Sequence, residues 1–185
     1  NPINVLCKLI ADVIDENGRI TIPHFYDDVE EVPAAEREMI AAIPFDEEAY
    51  KQGLGVEALQ GEKGYSTLER NSCRPSFDVC GIWGGYTDEG AKTVIPSKAY
   101  AKVSTRLVPH QQHEKISQLF IDYIKDVAPR SVKVEVTPLH GGEGYVCPIT
   151  IPAYRAAEDG FTQAFGKRPL AVRRGGSIPI ISDFE

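Results

Sequence analysis

Residues 76–110 read SFDVCGIWGGYTDEGAKTVIPSKAYAKVSTRLVPH, and the fold turns on how this stretch is read. Residues 77–83 and 93–107 are rich in β-branched and aromatic side chains alternating with polar ones, and a glycine-rich connection separates the two runs. Such residues suit a pleated, half-buried surface, so the two runs predict a pair of antiparallel strands. The second run carries Thr93 near one end and Arg106 near the other. At about 3.3 Å per residue that spacing is roughly 40 Å on a straight strand, too far for both groups to touch one small ligand. A twofold-related copy removes the conflict by bringing one end of its strand to the other subunit's site.

Helices flank the pair. Residues 1–15 place Ile3, Leu6, Ile10, Val13 and Ile14 near a 3.6-residue period, with Pro2 in the first turn and Asn17-Gly18 as the stop. Residues 111–127 repeat the pattern with Ile116, Leu119, Phe120, Tyr123, Ile124 and Val127, before Pro129. Residues 131–139 alternate Val132, Val134 and Val136, which predicts a further strand. The order helix, strand, strand, helix, strand describes an α+β fold: a two-layer open-faced sandwich, its mostly antiparallel sheet covered by two helices on one face.

The remaining segments are less regular. Residues 19–23 read as a short strand, and the acidic, proline-broken residues 24–75 as an exposed insertion of one or two helices and loops. Residues 154–165 predict a helix stopped by Gly166, residues 170–172 a strand, and residues 173–179 a strand-to-loop segment of the kind that lines sites.

Composition excludes several functions. Twenty Lys and Arg against 27 Asp and Glu leave a net charge of −7, with the basic residues scattered, so no clustered cationic face is available to nucleic acid. No apolar run approaches the ~18–20 residues of a membrane span. The four cysteines, Cys7, Cys73, Cys80 and Cys147, show no C-x-x-C pair and read as free thiols, which leans toward a cytoplasmic protein. The chain opens Asn-Pro-Ile without Met and stops just after an apolar run, as an excised piece of a longer protein would.

Local motifs for chemistry are sparse. His110 and His113 have helical i, i+3 spacing, but H-Q-Q-H-E lacks the arrangement of a zinc-binding helix and reads as solvated polar residues. No G-x-S-x-G elbow, P-loop or G-x-G-x-x-G is present. Gly175, Gly176 and Ser177 can offer backbone N–H groups and a hydroxyl to an anion or carbonyl oxygen.

Residues 75–109, PSFDVCGIWGGYTDEGAKTVIPSKAYAKVSTRLVP, with TIPHFYDDVEEV at 21–32 and VRRGGSIPI at 172–180, resemble the zinc peptidase family of carnosine dipeptidases, aminoacylases and succinyl-diaminopimelate desuccinylase. The nearest likeness is to its cytosolic nonspecific dipeptidase branch. The resemblance implies a lid or dimerisation domain over residues 1–148, containing the 24–75 insertion, and a partial return into a catalytic α/β domain over 149–185. It implies a homodimer in which Thr93 of K-T-V-I-P reaches the partner's site. Arg106 of R-L-V-P and His140 of P-L-H-G are then expected near the substrate's carboxylate, and Gly175, Gly176 and Ser177 as the loop closing that pocket.

The family's two zinc ions are held by motifs outside these 185 residues, so no catalytic or metal-binding residue is assigned here and the chain alone is expected to be inactive. The family's oxyanion histidine belongs to an H-S-G motif, which this chain lacks. Two residues depart from the family pattern: His24 where Gly is common, and Arg174 where an acidic residue precedes Gly-Gly-Ser. Three functional readings are open: the lid of a dinuclear zinc dipeptidase, the lid of an N-acyl amino acid hydrolase, and a stand-alone dimerising or ligand-binding module.

Overall fold

The computed structural model describes residues 1–173 and 181. Helix α1 spans Pro2–Ala11; the Asn1 side chain accepts the Ile3 N–H at 3.0 Å, supplying one of the bonds a helix start otherwise lacks. The chain then turns, with an isolated antiparallel bridge between Ile14 and Ile20 where a short strand was expected.

The insertion holds three short helices, one more than the upper expectation: α2, Ala34–Ala41, α3, Glu47–Leu54, and α4, Thr67–Ser72. Local chemistry accounts for two of them. Asp46 accepts the Ala49 N–H and Gly55 ends α3 at φ 70°, while Ser66 and Glu69 form a reciprocal capping box on α4.

Strand β1, Ser76–Gly84, pairs antiparallel with β2, Ala99–Arg106, running from Ser76 opposite Arg106 to Gly84 opposite Ala99. The register slips between Val79 and Gly81, leaving Cys80 as a bulged residue. The ladder is shorter than the 93–107 run predicted. Pro96 has no N–H to donate, and past the Gly84–Ala99 pair β1 offers no further partner.

Helix α5, His113–Val127, and helix α6, Pro152–Phe165, occupy the expected positions. Residues 131–139 begin with a turn and a bend at 131–132 and join no ladder among the described residues. Their alternation holds at the level of burial, since Val132, Val134 and Val136 are half-buried between exposed neighbours. A period of two specifies which face is covered, whereas a ladder also needs a partner edge within about 4.8 Å. Residues 170–172 likewise form no strand among the described residues, and Leu170 and Val172 are exposed.

The core gathers Leu9 and Val13 from the first helix and its exit, Ile20, Ile22 and Phe25 from the segment after it, Phe77 from β1, and Ile116 and Ile124 from α5. Val103, Phe120, Val134 and Val136 close over it. Helices α1 and α5 therefore share one apolar layer with the two-stranded sheet. Among the described residues no helix is long and apolar enough to cross a membrane.

Candidate functional site

The sheet separates two of the sequence-predicted groups. Arg106 ends β2 beside Ser76, while Thr93 lies beyond the opposite end of the ladder, past Ala99. The eight-residue strand between them is about 23 Å long at ~3.3 Å per residue. The segment carrying Thr93 stays at the far end: a Cβ placed on Gly85, next to the last residue of β1, would sit 4.0 Å from the Pro96 ring. Thr93 itself is exposed.

The Arg106 end is rigidly built. Two residues beyond it Val108 is buried, and Gln111, fully enclosed, spans the turn by accepting the Val108 N–H at 3.1 Å and donating to the Phe25 carbonyl at 2.8 Å. His110 takes up φ 71°, a left-handed conformation uncommon outside glycine, and its Nε2 lies 3.4 Å from Glu30. A small cavity of about 100 Å³ opens here, lined by Glu30, Glu31, Val108, Pro109, His110 and Arg173 among others.

The loop bearing His140 rests on this same turn. A Cβ on Gly141 would lie 2.6 Å from Cγ and Nδ1 of His113, and one on Gly144 would lie 3.0 Å from the Val108 backbone and 3.1 Å from that of Pro109. Glu143 Oε1 accepts the His113 N–H at 3.3 Å. The loop that follows the exposed His140 thus seats on the turn after β2, while Thr93 lies past the other end of the ladder. Gly175, Gly176 and Ser177 lie outside the described residues.

His110 and His113 do not converge, one facing Glu30 and the other the Gly141 backbone. Among the described residues no three His, Cys, Asp or Glu side chains gather closely enough to hold a metal ion, so no metal step is derived for this chain.

The densest charge cluster lies in the insertion instead. Arg74, with 3% of its side chain exposed, forms a bidentate pair with Glu62 through Nε and Nη2, both at 2.8 Å. Arg19 adds a third contact to Glu62 at 3.1 Å, and the Arg74 guanidinium lies 4.3 Å from the centre of the Tyr65 ring. Burial opposes the charge on Arg74, but donation to Glu62 outweighs it and holds its pKa up. Burial likewise pushes Glu69 up, yet hydrogen bonds from Arg37 and the Ser66 backbone overcome it and leave the carboxyl below its ordinary range. The contacts of Glu62 with Arg19 and Arg74 tie the insertion to the turn after α1. A wider cleft of about 340 Å³ beside them, lined by Glu47, Lys51, Tyr65, Ser66, Thr67 and Arg70 among others, includes none of the sequence-predicted residues.

Sequence reasoning missed the supports of His140, namely His113, Glu143 and Gly144. The available signal was the run G-G-E-G directly after P-L-H, whose glycines permit the backbone to lie flat on another segment.

The fold has counterparts among known proteins. The family model described as the peptidase dimerisation domain matches residues 1–132. The whole chain aligns at 31% identity with a human Beta-Ala-His dipeptidase, of which it covers 37%, and at 31% with a Cys-Gly metallodipeptidase of Candida albicans, of which it covers 39%. The chain therefore spans well under half the length of these relatives. Among solved structures, an M20 family metallo-carboxypeptidase from Sulfolobus solfataricus superposes with a TM-score of 0.87 at 28% identity, over 100% of this chain and 41% of that one. Human carnosine dipeptidase 1 superposes with a TM-score of 0.83 at 30% identity, over 99% of this chain and 40% of that one. With its helix-backed antiparallel sheet and a family match over more than two thirds of its length, the chain belongs to the M20 peptidase dimerisation domain family.

Proposed function

We propose that this chain is the lid and dimer-forming part of a metallodipeptidase that cleaves small peptides with a free carboxylate. The observation that carries the reading is the division of the sheet: Arg106 and the His140 loop at one end, Thr93 past the other. A guanidinium offers a planar fork of donors matched to a carboxylate, and an imidazole N–H beside it adds a third. The hydroxyl of Thr93, too distant for the same ligand, serves the partner subunit's site in a homodimer, where symmetry supplies the missing reach.

In this reading residues 1–148 form the lid, and residues 149–185 begin a catalytic domain in which Gly175, Gly176 and Ser177 close the carboxylate pocket. Helix α6 fits such a role, for it buries none of its residues and leaves Phe161 and Phe165 stacked 6.0 Å apart on an exposed side. The relatives named as metallodipeptidases support a metal cofactor for the whole enzyme, which we take to be two zinc ions held outside this chain. Bound there, they would polarise the scissile carbonyl and supply the attacking hydroxide. The absence of disulfides among the four cysteines supports a cytoplasmic enzyme.

The test is Arg106→Ala in the full-length enzyme, assayed on a dipeptide, on its C-terminal amide and on an N-acyl amino acid. Loss of a charge-assisted pair predicts about a hundredfold lower kcat/KM on substrates with a free carboxylate and little change on the amide. Equal loss on the amide refutes the assignment. Turnover of the N-acyl amino acid in preference to the dipeptide would place the enzyme with the aminoacylases.

A further inference from the structure

Resting on the carboxylate-binding reading of Arg106 and His140, we propose that Glu143, His113 and Gly144 are positioning residues that fix His140 against the Arg106 end of the sheet. Three independent contacts converge on the loop that follows His140. Helix α5 begins without help from its own cap, since Gln112 makes no side-chain capping bond, and the carboxylate of Glu143 takes the His113 N–H instead. An anionic group at the first turn of a helix is also favoured by the helix dipole. The ring of His113 lies directly under Gly141, with no room for a Cβ between them. Gly144 lies on the backbone of Val108 and Pro109 with little more room, a Cβ there reaching 3.0 Å from Val108.

What the loop rests on is itself stiff. Gln111 ties the turn to Phe25 from a fully buried position, and Val108 is buried as well. Arg106 is only two residues before that platform. The distance between His140 and Arg106 is therefore set by how the loop seats on the turn, so the three residues govern whether a single carboxylate meets both donors. Small displacements matter for such a pair, because charge-assisted hydrogen bonds weaken steeply with misalignment.

The experiment measures KM and kcat of the full-length enzyme on a dipeptide and on its C-terminal amide, for Glu143→Leu, Glu143→Gln and Gly144→Ala, with Arg106→Ala as the reference. Glu143→Leu and Gly144→Ala should each raise KM for the dipeptide about tenfold, keep kcat within about twofold and leave the amide unaffected, the pattern of lost uniform binding. Glu143→Gln keeps a carbonyl oxygen for the His113 N–H and should stay close to the wild type. If Glu143→Leu and Gly144→Ala match the wild type while Arg106→Ala raises KM, the positioning role is overturned and the carboxylate reading stands. If Arg106→Ala is silent too, the carboxylate reading fails and the positioning role falls with it. An equal loss on both substrates marks a merely structural contact and also overturns the proposal.

Discussion

The pair Glu62 and Arg74 offers a sharp test of how the insertion is held. Their side chains are 9% and 3% exposed, and two hydrogen bonds of 2.8 Å join them. Glu62→Leu strips both acceptors from a guanidinium whose Nη1 is already buried without a hydrogen bond, its nearest acid being Glu31 at 4.0 Å. Breaking one partner of a buried ion pair costs about 3–5 kcal/mol, and loss of the half-exposed Arg19 contact adds about 0–1 kcal/mol. Against a typical domain stability of about 5–15 kcal/mol, that is a large fraction of the total. For a chain of this size it corresponds to a fall in Tm of roughly 6–24 °C. Arg74→Met alone leaves Glu62 buried beside Arg19 only and should cost a similar amount. The double variant Glu62→Leu with Arg74→Met removes both charges together and should be more stable than either single variant, because an apolar pair of similar volume needs no compensation. Urea unfolding of the 185-residue chain followed by circular dichroism gives all three values. Single variants costing less than about 1 kcal/mol, or a double variant that costs the sum of the singles, would refute the reasoning.

Two further outcomes follow from local geometry and from titration. Gly18 adopts φ 75° and a Cβ there would lie 2.5 Å from the Gly61 carbonyl oxygen, so Gly18→Ala should lower stability by roughly 2–4 kcal/mol from strain plus backbone displacement, read as a shifted urea midpoint. Stability should also fall in acid: Glu69 and Asp15 both have pKa values below the ordinary carboxylate range, Asp15 chiefly through the Arg19 N–H and Glu69 through Arg37 and Ser66 against its burial. Groups depressed in the folded state contribute stability above their unfolded pKa of about 4, and that contribution disappears as pH falls below it. Glu69→Gln should therefore flatten the acid limb of a stability curve measured between pH 7 and pH 3, and an unchanged limb would contradict the assignment.

The legible parts of the fold are those whose information is local. Helices α1 and α5 follow from apolar spacing, α6 was read over 154–165 up to its Gly166 stop, and the β1–β2 pair follows from alternation on both sides of a glycine-rich connection. Pro96 was visible in the sequence, yet only the end of β1 at Gly84 explains why β2 starts at Ala99. The valines at 132, 134 and 136 announced a covered face correctly, while whether they join a ladder, which they do not among the described residues, depends on where a partner edge lies, and alternation does not encode that. The same holds for charge. Glu62 meets Arg74 twelve residues away and Arg19 forty-three away, separations that no pattern within the insertion specifies. Of the site, Thr93 and Arg106 were legible as a distance along one strand. An approach of His140 to Arg106 was implied by family resemblance alone, and what alternation and spacing could not encode is the seating of Gly141 and Gly144 on His113 and the 108–109 backbone.

The central claim is that Thr93 and Arg106 serve different active sites of one dimer, and mixed dimers test it directly. Full-length Thr93→Ala and Arg106→Ala enzymes, each impaired alone, are unfolded, mixed and refolded together. If Thr93 acts in the partner's site, each mixed dimer regains one intact site and the mixture recovers about a quarter of wild-type activity, half of the dimers being mixed and half of their sites restored. Activity no higher than the mean of the two separate variants would show that both residues act within one subunit, and the account would be wrong.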